Sequence, residues 1–401
     1  MKPHWQIKKL GEVCEMRRGL TYSKADEATV SSKVVLRSNN IDLDTHLMNF
    51  DELKYLKENF EFPTDKYIRD GELLMCMSNG SKAHLGKVAL YKGVTKYAFG
   101  GFMSAIRHNN SVIDMFFYYA LITPMFHDYI KTLSDGANIN NLKARDILEY
   151  AIPLPPLAEQ GEIVAYLDKE FALVDALREK AMGQLQAAKD LFQAILKQLL
   201  TPKDGWTIST IEESTTIKSG KRVPKGYKLE DCDAGHKYIR VADFDNFGSV
   251  DTSEIKYINE TVFNQIKRYI ITSQDVYISI AGTIGKTGII PKELDGANLT
   301  ENANRFILNK GINQRFFYYY TRSEIFQKEI KLSTTTSAQP KLAIMRLKKV
   351  SFAYPPLPEQ ESIVAQLDGL SEKCRKLEDN YRQTLTLCND LKQALLKQVF
   401  E

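Results

Sequence analysis

The sequence has few of the residues from which metal centres and disulfide frameworks are built. Its five cysteines form no C-x-x-C pair, and its six histidines form no H-x-x-x-H pair. Zinc sites require spacings of this kind, so no zinc site is expected. Unpaired thiols are typical of a reducing cytosol.

Long apolar runs are missing as well. No stretch of about 18 apolar residues, the length of a membrane span, occurs in the sequence. The first residues, Met-Lys-Pro-His-Trp-Gln, lack the apolar core of a signal peptide. We therefore expect a soluble cytoplasmic protein.

The chain also lacks a large excess of either charge. Lys and Arg number 54 against 50 Asp and Glu, which gives a formal net charge of only +4. Nucleic-acid binding would therefore have to rest on local positive patches. With 401 residues, 43% hydrophobic and 26% charged, the chain is too long for one compact core and predicts two or more globular domains.

An internal repeat is the most informative feature that is present. Residues 155–160 read P-P-L-A-E-Q and residues 355–360 read P-P-L-P-E-Q, and I-V-A and L-D follow both at the same spacing. The match extends backwards, with F-F-Y-Y at 116–119 and 316–319 and a Gly-Lys pair at 86–87 and 285–286. The sequence thus predicts two similar halves, each a variable part followed by a helical part.

Apolar periodicity predicts a long helix in each helical part. Proline is suited to a helix start, and residues 157–200 contain no further proline. At about 1.5 Å per residue, some 40 residues give a helix of roughly 60 Å. Apolar residues recur at steps of three and four, at Leu167, Phe171, Val174, Leu177, Ala181, Leu185, Ala188, Phe192, Ile195 and Leu199, and then at Leu367, Cys374, Leu377, Tyr381, Leu385, Cys388, Leu395 and Val399.

We expect the two apolar stripes to bury each other, so that the helices act as a ruler. Packing of each stripe on its own domain is the alternative.

The acidic and amide residues of the repeated motif are interpreted as helix-start residues, with docking of a partner as the alternative. These residues are Glu159, Gln160, Glu359 and Gln360.

The variable parts have the pattern of an α+β domain. Short β-branched or alternating runs, closely punctuated by Gly, Asn, Asp and Pro, predict strands and turns; examples are 34–36, 88–91, 277–280 and 287–290. Helices are predicted at 113–132 and 312–331. The F-F-Y-Y runs lie inside these helices and are interpreted as core, with base stacking as the alternative.

The doubled P-P-L-x-E-Q start, followed by I-V-x-x-L-D, is similar to the two conserved regions of specificity subunits of Type I restriction–modification systems. The resemblance covers the whole chain. It implies an α+β fold in which two similar target-recognition domains, each a small mixed sheet plus helices, are separated by two long helices packed as an antiparallel coiled coil with pseudo-two-fold symmetry. The implied domains are residues 1–152 and 201–352, and the implied helical spacers are 153–200 and 353–401.

The resemblance also implies a function. Each target-recognition domain would read one half of a split double-stranded DNA site in the major groove, and the helices would set the gap between the halves. Two modification subunits would dock on the helices to form an adenine methyltransferase, and restriction subunits would complete the nuclease. S-adenosylmethionine, ATP and Mg²⁺ are expected on those partners, and no cofactor or metal on this chain.

The sequence is consistent with a non-catalytic chain. It contains no Asn/Asp-Pro-Pro-Phe/Tyr motif, which an adenine methyltransferase needs to hold a flipped base. Residues 282–287 resemble a phosphate loop, but Ile280 stands where its first glycine is required. Asp44 with Glu52, or Asp243 with Glu254, could imitate an acidic metal site, although a solvated strand face explains this alternation too. A fused enzyme and a repeat-built scaffold that binds only proteins are the competing hypotheses.

Arginine, lysine and asparagine in loop-like segments are the candidate DNA-binding residues, because these side chains reach phosphates and base edges. Lys87 and Lys286 follow equivalent glycines, whose N–H groups could approach a phosphate. Arg37 and Arg240 either contact DNA or pair with a nearby carboxylate. Residues that differ between the copies, such as Asn79 and Arg222, are the specificity candidates. The full set is Arg17, Arg18, Arg37, Asn39, Asn79, Lys82, Lys87, Arg107, Lys143, Lys221, Arg222, Arg240, Lys286, Asn304, Arg305 and Lys341.

Overall fold

The computed structural model describes residues 4–134, 141–245, 247–334 and 342–401. The chain forms two compact units. Unit 1 comprises Met1–Met182 with Gln383–Glu401, and unit 2 comprises Gly183–Arg382. The boundary between the units thus falls inside each long helical segment.

Unit 1 combines short strands with helices. Its described strands are β1 Gln6–Lys9, β2 Cys14–Arg18, β3 Glu27–Ala28, β4 Lys33–Leu36, β5 Lys54–Leu56, β6 Leu73–Cys76, β7 Val88–Leu90, β8 Ala98–Phe99, β9 Met103–His108 and β10 Ala151–Leu154. Its described helices are α1 Leu10–Val13, α2 Asp114–Ala120, α3 Pro124–Ser134, α4 Ala144–Leu148 and the start of α5 Leu157–Leu200.

The strands of unit 1 form three small sheets. One sheet has the order β2-β9-β6-β7 and is antiparallel throughout. A second has the order β3-β5-β4-β8, in which β4 and β8 run parallel. The antiparallel pair β1-β10 joins the start of the unit to the segment before α5.

Unit 2 repeats this plan. Its described strands are β11 Thr207–Thr210, β12 Thr215–Ser219, β13 His236–Ile239, β14 Lys256–Ile258, β15 Val276–Ser279, β16 Thr287–Gly288, β17 Asn298–Leu299, β18 Ala303–Leu308 and β19 Ser351–Tyr354. Its described helices are α6 Ile211–Ser214, α7 Glu260–Ile266, α8 Gln314–Arg322, α9 Glu324–Ser333, α10 Ile344–Lys348 and the start of α11 Leu357–Phe400. The sheet orders are β12-β18-β15-β16, β14-β13-β17 and β11-β19. The predicted α+β class with two similar domains is therefore confirmed.

The helices predicted at 113–132 and 312–331 are each two helices, so this part of the prediction is wrong. Pro124 begins α3 after a short break, because proline cannot continue a helix but suits its first turn. In unit 2, Ser323 has extended backbone angles (φ −66°, ψ 150°), and its hydroxyl caps α9 by accepting from the backbone N–H of Phe326.

The long helices α5 and α11 each contain 44 residues, and pair in opposite directions within each unit. In unit 1, the core includes Leu167 near the start of α5 together with Leu396 and Phe400 near the end of α11. In unit 2, it includes Leu196 near the end of α5 together with Leu367 near the start of α11. These contacts fit the predicted antiparallel packing.

Burial along the two helices follows a heptad repeat, which departs from the predicted apolar stripe at one position in each helix. Leu177 and Leu377 are exposed (49% and 41%), whereas the half-buried positions are 178 and 378. An apolar repeat of 3.5 residues places position 178, not 177, four residues after buried Val174. The two leucines therefore lie outside the core, contrary to the prediction.

The repeated P-P-L-x-E-Q motif ties each long helix to its own domain. Gln160 is fully buried; its Oε1 accepts from the Ile113 backbone N–H (2.9 Å), and its Nε2 donates to the carbonyls of Ser111 and Pro155 (2.9 Å each). Gln360 makes the same three bonds at 2.8–2.9 Å, to the backbone of residues 313, 311 and 355. The oxygen and the nitrogen of each buried amide are thus hydrogen-bonded, as buried polar groups in folded proteins generally are.

The neighbouring acidic residues complete this attachment. Glu159 accepts from the indole Nε1 of Trp5 at 3.0 Å, and Glu359 accepts from Trp206 at 3.2 Å. Asp368 at the L-D motif accepts from the hydroxyl of Tyr319 at 2.6 Å. The motif residues thus fix the helix to the domain, rather than only starting the helix.

Candidate nucleic-acid interface

Four loops of unit 1 meet at one end of its sheets. The Asn79 Nδ2 donates to the Ser38 hydroxyl at 2.9 Å, and the Met77 backbone N–H donates to the carbonyl of Phe102 at 2.9 Å. The loop after β2 joins them through the Leu20 N–H, which donates to Phe99 at 2.7 Å. This surface, formed by residues 18–22, 37–40, 77–82 and 99–102, is here called the loop surface of unit 1.

A glycine makes the close approach of two of these loops possible. A Cβ atom at Gly19 would lie 2.1 Å from the carbonyl oxygen of Gly100, far inside contact distance. Gly220 holds the equivalent place in unit 2, where a Cβ would lie 2.0 Å from the Thr300 carbonyl oxygen. Only glycine permits this backbone contact.

Several predicted residues lie on the loop surface of unit 1. Arg18 and Lys82 are exposed. Asn39 is exposed beside Glu52, with its Nδ2 3.4 Å from the Glu52 carbonyl oxygen, and Asn79 is half-buried. Lys143 is exposed at the start of α4, next to Leu142, whose N–H donates to the Met77 carbonyl at 2.8 Å. The structure therefore brings these five together.

A pocket of about 340 Å³ opens on this surface and is lined by Arg18, Arg37, Phe102 and their neighbours. Phe102 is 70% exposed, which is unusual for a large aromatic side chain. Sequence reasoning missed Phe102. Its signal was a large aromatic residue directly after the pair Gly100-Gly101.

The loop surface of unit 2, formed by residues 219–222, 240–243, 280–285 and 299–302, uses the same backbone contacts with different side chains. Lys221 is exposed, with Nζ 5.7 Å from the Tyr269 ring centroid. Arg222 is 78% exposed and pairs with Glu301, which raises the pKa of the Arg222 guanidinium. Both follow Gly220, as the loop residues of unit 1 follow Gly19.

Arg240 of unit 2 is held by a carboxylate. Its guanidinium donates to Asp243, which is 2% exposed, and to the Glu254 carbonyl at 2.8 Å. The hydrogen bonds to Asp243 raise the pKa of Arg240. Asp243 is therefore part of this ion pair, and the structure gives it a role other than the nuclease-like metal site.

The side chains and N–H groups of the matched Gly-Lys pairs bond within the protein. Lys87 is buried, and its Nζ donates to the Ile41 carbonyl at 2.7 Å; Lys286 donates to the Phe244 carbonyl at 2.9 Å. Burial lowers the pKa of Lys87. The N–H groups of Gly86 and Gly285 donate to the carbonyls of Cys76 and Ser279 at 2.9 Å each, so each already has a partner within the protein.

Four further candidates lie within or beside the sheets. Arg305 is buried and bonds Asp275 at 2.6 Å, and Arg17 pairs with Glu72, whose side chain is 1% exposed. Arg107 is 44% exposed with its Nε 3.7 Å from Glu72. Asn304 is fully buried, and neither of its amide atoms has a partner among the described residues. The three arginines thus lie beside buried carboxylates, and Arg107 is the most exposed of the four side chains.

The remaining predictions concern the F-F-Y-Y side chains, metal binding and Lys341. The F-F-Y-Y side chains are buried in both units, at most 6% exposed, which confirms their interpretation as core.

Among the described residues, no group of three or more His, Cys, Asp or Glu side chains could hold a metal ion. Lys341 lies outside the described residues. In the described part of the chain, no helix has the length and apolarity that a membrane crossing requires.

Two matches to one family model cover residues 3–185 and 203–387, and the family is described as the Type I restriction modification DNA specificity domain. The chain therefore belongs to this family and carries two copies of its domain. It is the specificity subunit of a Type I restriction–modification system, a non-catalytic component, as the sequence resemblance implied.

Related proteins agree with this assignment, and a solved structure agrees with the fold. The Type I restriction enzyme EcoKI specificity subunit of Escherichia coli (strain K12) is 24% identical, over 99% of this chain and 88% of that protein. The StySPI specificity subunit of Salmonella potsdam is 25% identical, with the same coverage of 99% and 88%. A chain in a solved structure concerning assembly and conformational transition of the type I R-M system matches with a TM-score of 0.72 and 20% identity, over 100% of this chain and 98% of that one; this likeness supports the fold.

Proposed function

We propose that this subunit reads a split double-stranded DNA site, one half with each unit. The observation that carries the proposal is the doubled loop surface. The same backbone hydrogen bonds fix equivalent positions in the two units, but the side chains at these positions differ. Leu20 of unit 1 corresponds to Lys221 of unit 2, and Phe102 corresponds to Asn302. One scaffold with two sets of side chains is what two different half-sites need, because side chains at base edges determine the sequence that is read.

Polar residues from both units are the proposed DNA contacts. Arginine pairs well with guanine and asparagine with adenine in the major groove, and lysine holds phosphates. The proposed contacts are Arg18, Arg37, Asn39, Asn79, Lys82, Arg107 and Lys143 in unit 1, and Lys221, Arg222 and Lys341 in unit 2. Arg17, Lys87, Arg240, Lys286, Asn304 and Arg305 are proposed to position the loops and sheets that carry these contacts.

The long helices are proposed to set the gap and to dock two modification subunits. In unit 1, Leu173 and Leu177 of α5 and Leu387 and Leu391 of α11 are 48–61% exposed. Several large apolar side chains exposed on paired helices are typical of a protein interface. Adenine methylation, S-adenosylmethionine, ATP and Mg²⁺ would belong to those partners and to restriction subunits, and the complex would act on DNA in the cytoplasm.

Mapping of methylated adenines tests this function. The chain and its modification subunit are expressed in a host without other adenine methylation, and the genome is sequenced for methylated bases. We expect one split motif, with two short specified halves and an unspecified gap, that disappears when the chain is omitted. Methylation at a continuous motif, or methylation that persists without this chain, would contradict the proposal.

A further inference from the structure

Two arginines at equivalent positions of the two units have different partners. Arg37 and Arg240 each follow the strand of the mixed sheet that has both an antiparallel and a parallel neighbour, β4 or β13, and precede a short 3₁₀ turn. The backbone N–H of each donates to the side chain three residues later, at 2.8 Å to Asn40 and at 2.7 Å to Asp243. The local backbone is thus the same, and the difference between the arginines comes from the residue at that third position.

In unit 2, the carboxylate at that position engages the arginine. Asp243 accepts from both Nε and an Nη of Arg240, and the Glu254 carbonyl accepts a further bond. A forked arginine–carboxylate pair of this kind is strong and geometrically fixed. The Arg240 guanidinium is therefore committed to its own loop.

In unit 1, the amide at that position is engaged elsewhere. The Asn40 Nδ2 donates to the carbonyls of Asn49 and Glu52 at 2.9 Å each, and its Oδ1 accepts the Arg37 N–H. The Glu52 carbonyl is the counterpart of the Glu254 carbonyl that Arg240 uses, so it too is occupied. Among the described residues, Arg37 has no carboxylate within ion-pair distance, and its Nε is buried without a hydrogen-bond partner.

The unpaired guanidinium lines the surface pocket of unit 1. Arg18 and the exposed ring of Phe102 line the same pocket, and Glu27, a carboxylate at its wall, is paired with Lys54. A cation with unused donors beside an aromatic ring suits a planar ligand with hydrogen-bond acceptors. Guanine offers two acceptors, O6 and N7, to an arginine, and a ring face or edge to the aromatic side chain.

We propose that Arg37 reads a guanine in the half-site of unit 1, whereas Arg240 only positions its loop. This inference rests on the proposed function and adds a named specificity residue to it. A base fits the pocket better than a phosphate does, because Phe102 and the apolar side chains of Leu20 and Met103 can pack against a base but offer a phosphate no hydrogen bond. The choice between the two roles depends on one pair of residues, Asn40 and Asp243.

Substitutions at positions 37 and 40 of the full chain test the proposal, with methylated sites mapped in the presence of the modification subunit. In Arg37→Ala, and in Arg37→Lys, which keeps the charge but not the fork, one guanine in one half-site should no longer be required. Preference for that base should fall by about tenfold to a hundredfold. The other half-site and the gap should stay as in the wild type.

Asn40→Asp leaves Arg37 in place, and it removes the two bonds from the Asn40 Nδ2, which frees the Glu52 carbonyl for Arg37. The new carboxylate should engage Arg37 as Asp243 engages Arg240, and the same guanine should lose its importance. Asn49→Asp is the matched control. It adds the same charge in the same loop and keeps the bond that Asn49 Oδ1 accepts from Asp51, so the full motif should be retained.

The outcomes separate this inference from the proposed function. Uniform loss of methylation at all sites, with every specified base unchanged, would show that Arg37 holds a phosphate and would overturn the inference. An unchanged motif in Arg37→Ala, or in Asn40→Asp, would overturn it as well. Absence of any split motif with the wild-type chain would instead contradict the proposed function.

Discussion

At the scale of single residues, Gln160 and Gln360 carry more of the fold than their place in a helix-start motif suggests. Each amide satisfies three backbone groups of its own unit, and each is fully buried. A buried polar group that loses its partner costs about 1–3 kcal/mol. The stability of each unit should therefore depend strongly on its glutamine.

Gln160→Ala should lower the free energy of unfolding of the chain by about 2–4 kcal/mol, because it leaves the Ile113 N–H and two carbonyls without their partner. Denaturant titration measures the change. Gln186→Ala is the control, since Gln186 lies exposed on the same helix and bonds only Asp190. Equal losses in the two variants would show that the buried amide bonds contribute little.

The stability of the chain should fall as pH drops, in part because of His46. Burial, together with nearby His127, lowers the pKa of His46 below its ordinary value of 6.5, and burial lowers the pKa of His84 and His127 as well. The unfolded chain then binds protons first as pH falls, so stability present above about pH 6.5 is lost below it.

His46→Asn should reduce this loss without removing it, because the other two histidines still titrate. Asparagine also tolerates the positive φ of 56° at this position. Unfolding midpoints at pH 7.5 and pH 5.5 measure the effect. If the variant loses as much stability as the wild type between these pH values, then His46 does not contribute to the pH dependence.

At the scale of elements, the sequence predicted the long helices better than the short ones. Apolar periodicity and the prolines before position 157 predicted a helix from 157 to 200, which is where α5 lies. The same reasoning joined α8 to α9, because Ser323 is compatible with a helix interior and only its hydrogen bond to Phe326 shows the break. A long helix is indicated by many residues together, whereas a break between two short helices depends on one capping residue.

The candidate site was less predictable than the elements. The exposed loop residues Arg18, Asn39 and Lys82 could be found from composition, because polar residues between strands lie at the surface. Lys87 could not be placed, since its burial depends on the Ile41 carbonyl, a contact over 46 residues. Contacts between distant segments determine which polar side chains stay exposed, and one sequence does not show them.

Exposed leucines on the long helices give an element-scale prediction. Replacing Leu177 and Leu391 together by glutamine should leave the unfolding midpoint almost unchanged, since both side chains are exposed and glutamine is a good helix former. Association with the modification subunit should weaken, because apolar area is lost from the proposed interface. Lys169→Gln on the same helix is the control. A large loss of stability, or undiminished association, would contradict the proposed docking.

At the scale of the whole molecule, the helices are predicted to act as a ruler. Inserting four residues after Gly183, with four more at the matching point after Gln383, should lengthen both helices by about 6 Å. The unspecified gap in the methylated motif should grow by about two base pairs, at roughly 3.4 Å each, while both half-sites stay the same. A gap of unchanged length would show that the helices do not set the spacing.

If this chain carries two independent readers, exchange of one reader should change only the half-site that it reads. Residues 1–152 are replaced by the corresponding segment of a specificity subunit whose own split motif is known, and methylated adenines are mapped with the modification subunit present. We expect one half-site to change to that of the donor, while the other half-site and the gap are retained. A change in both half-sites, or in neither, would contradict it.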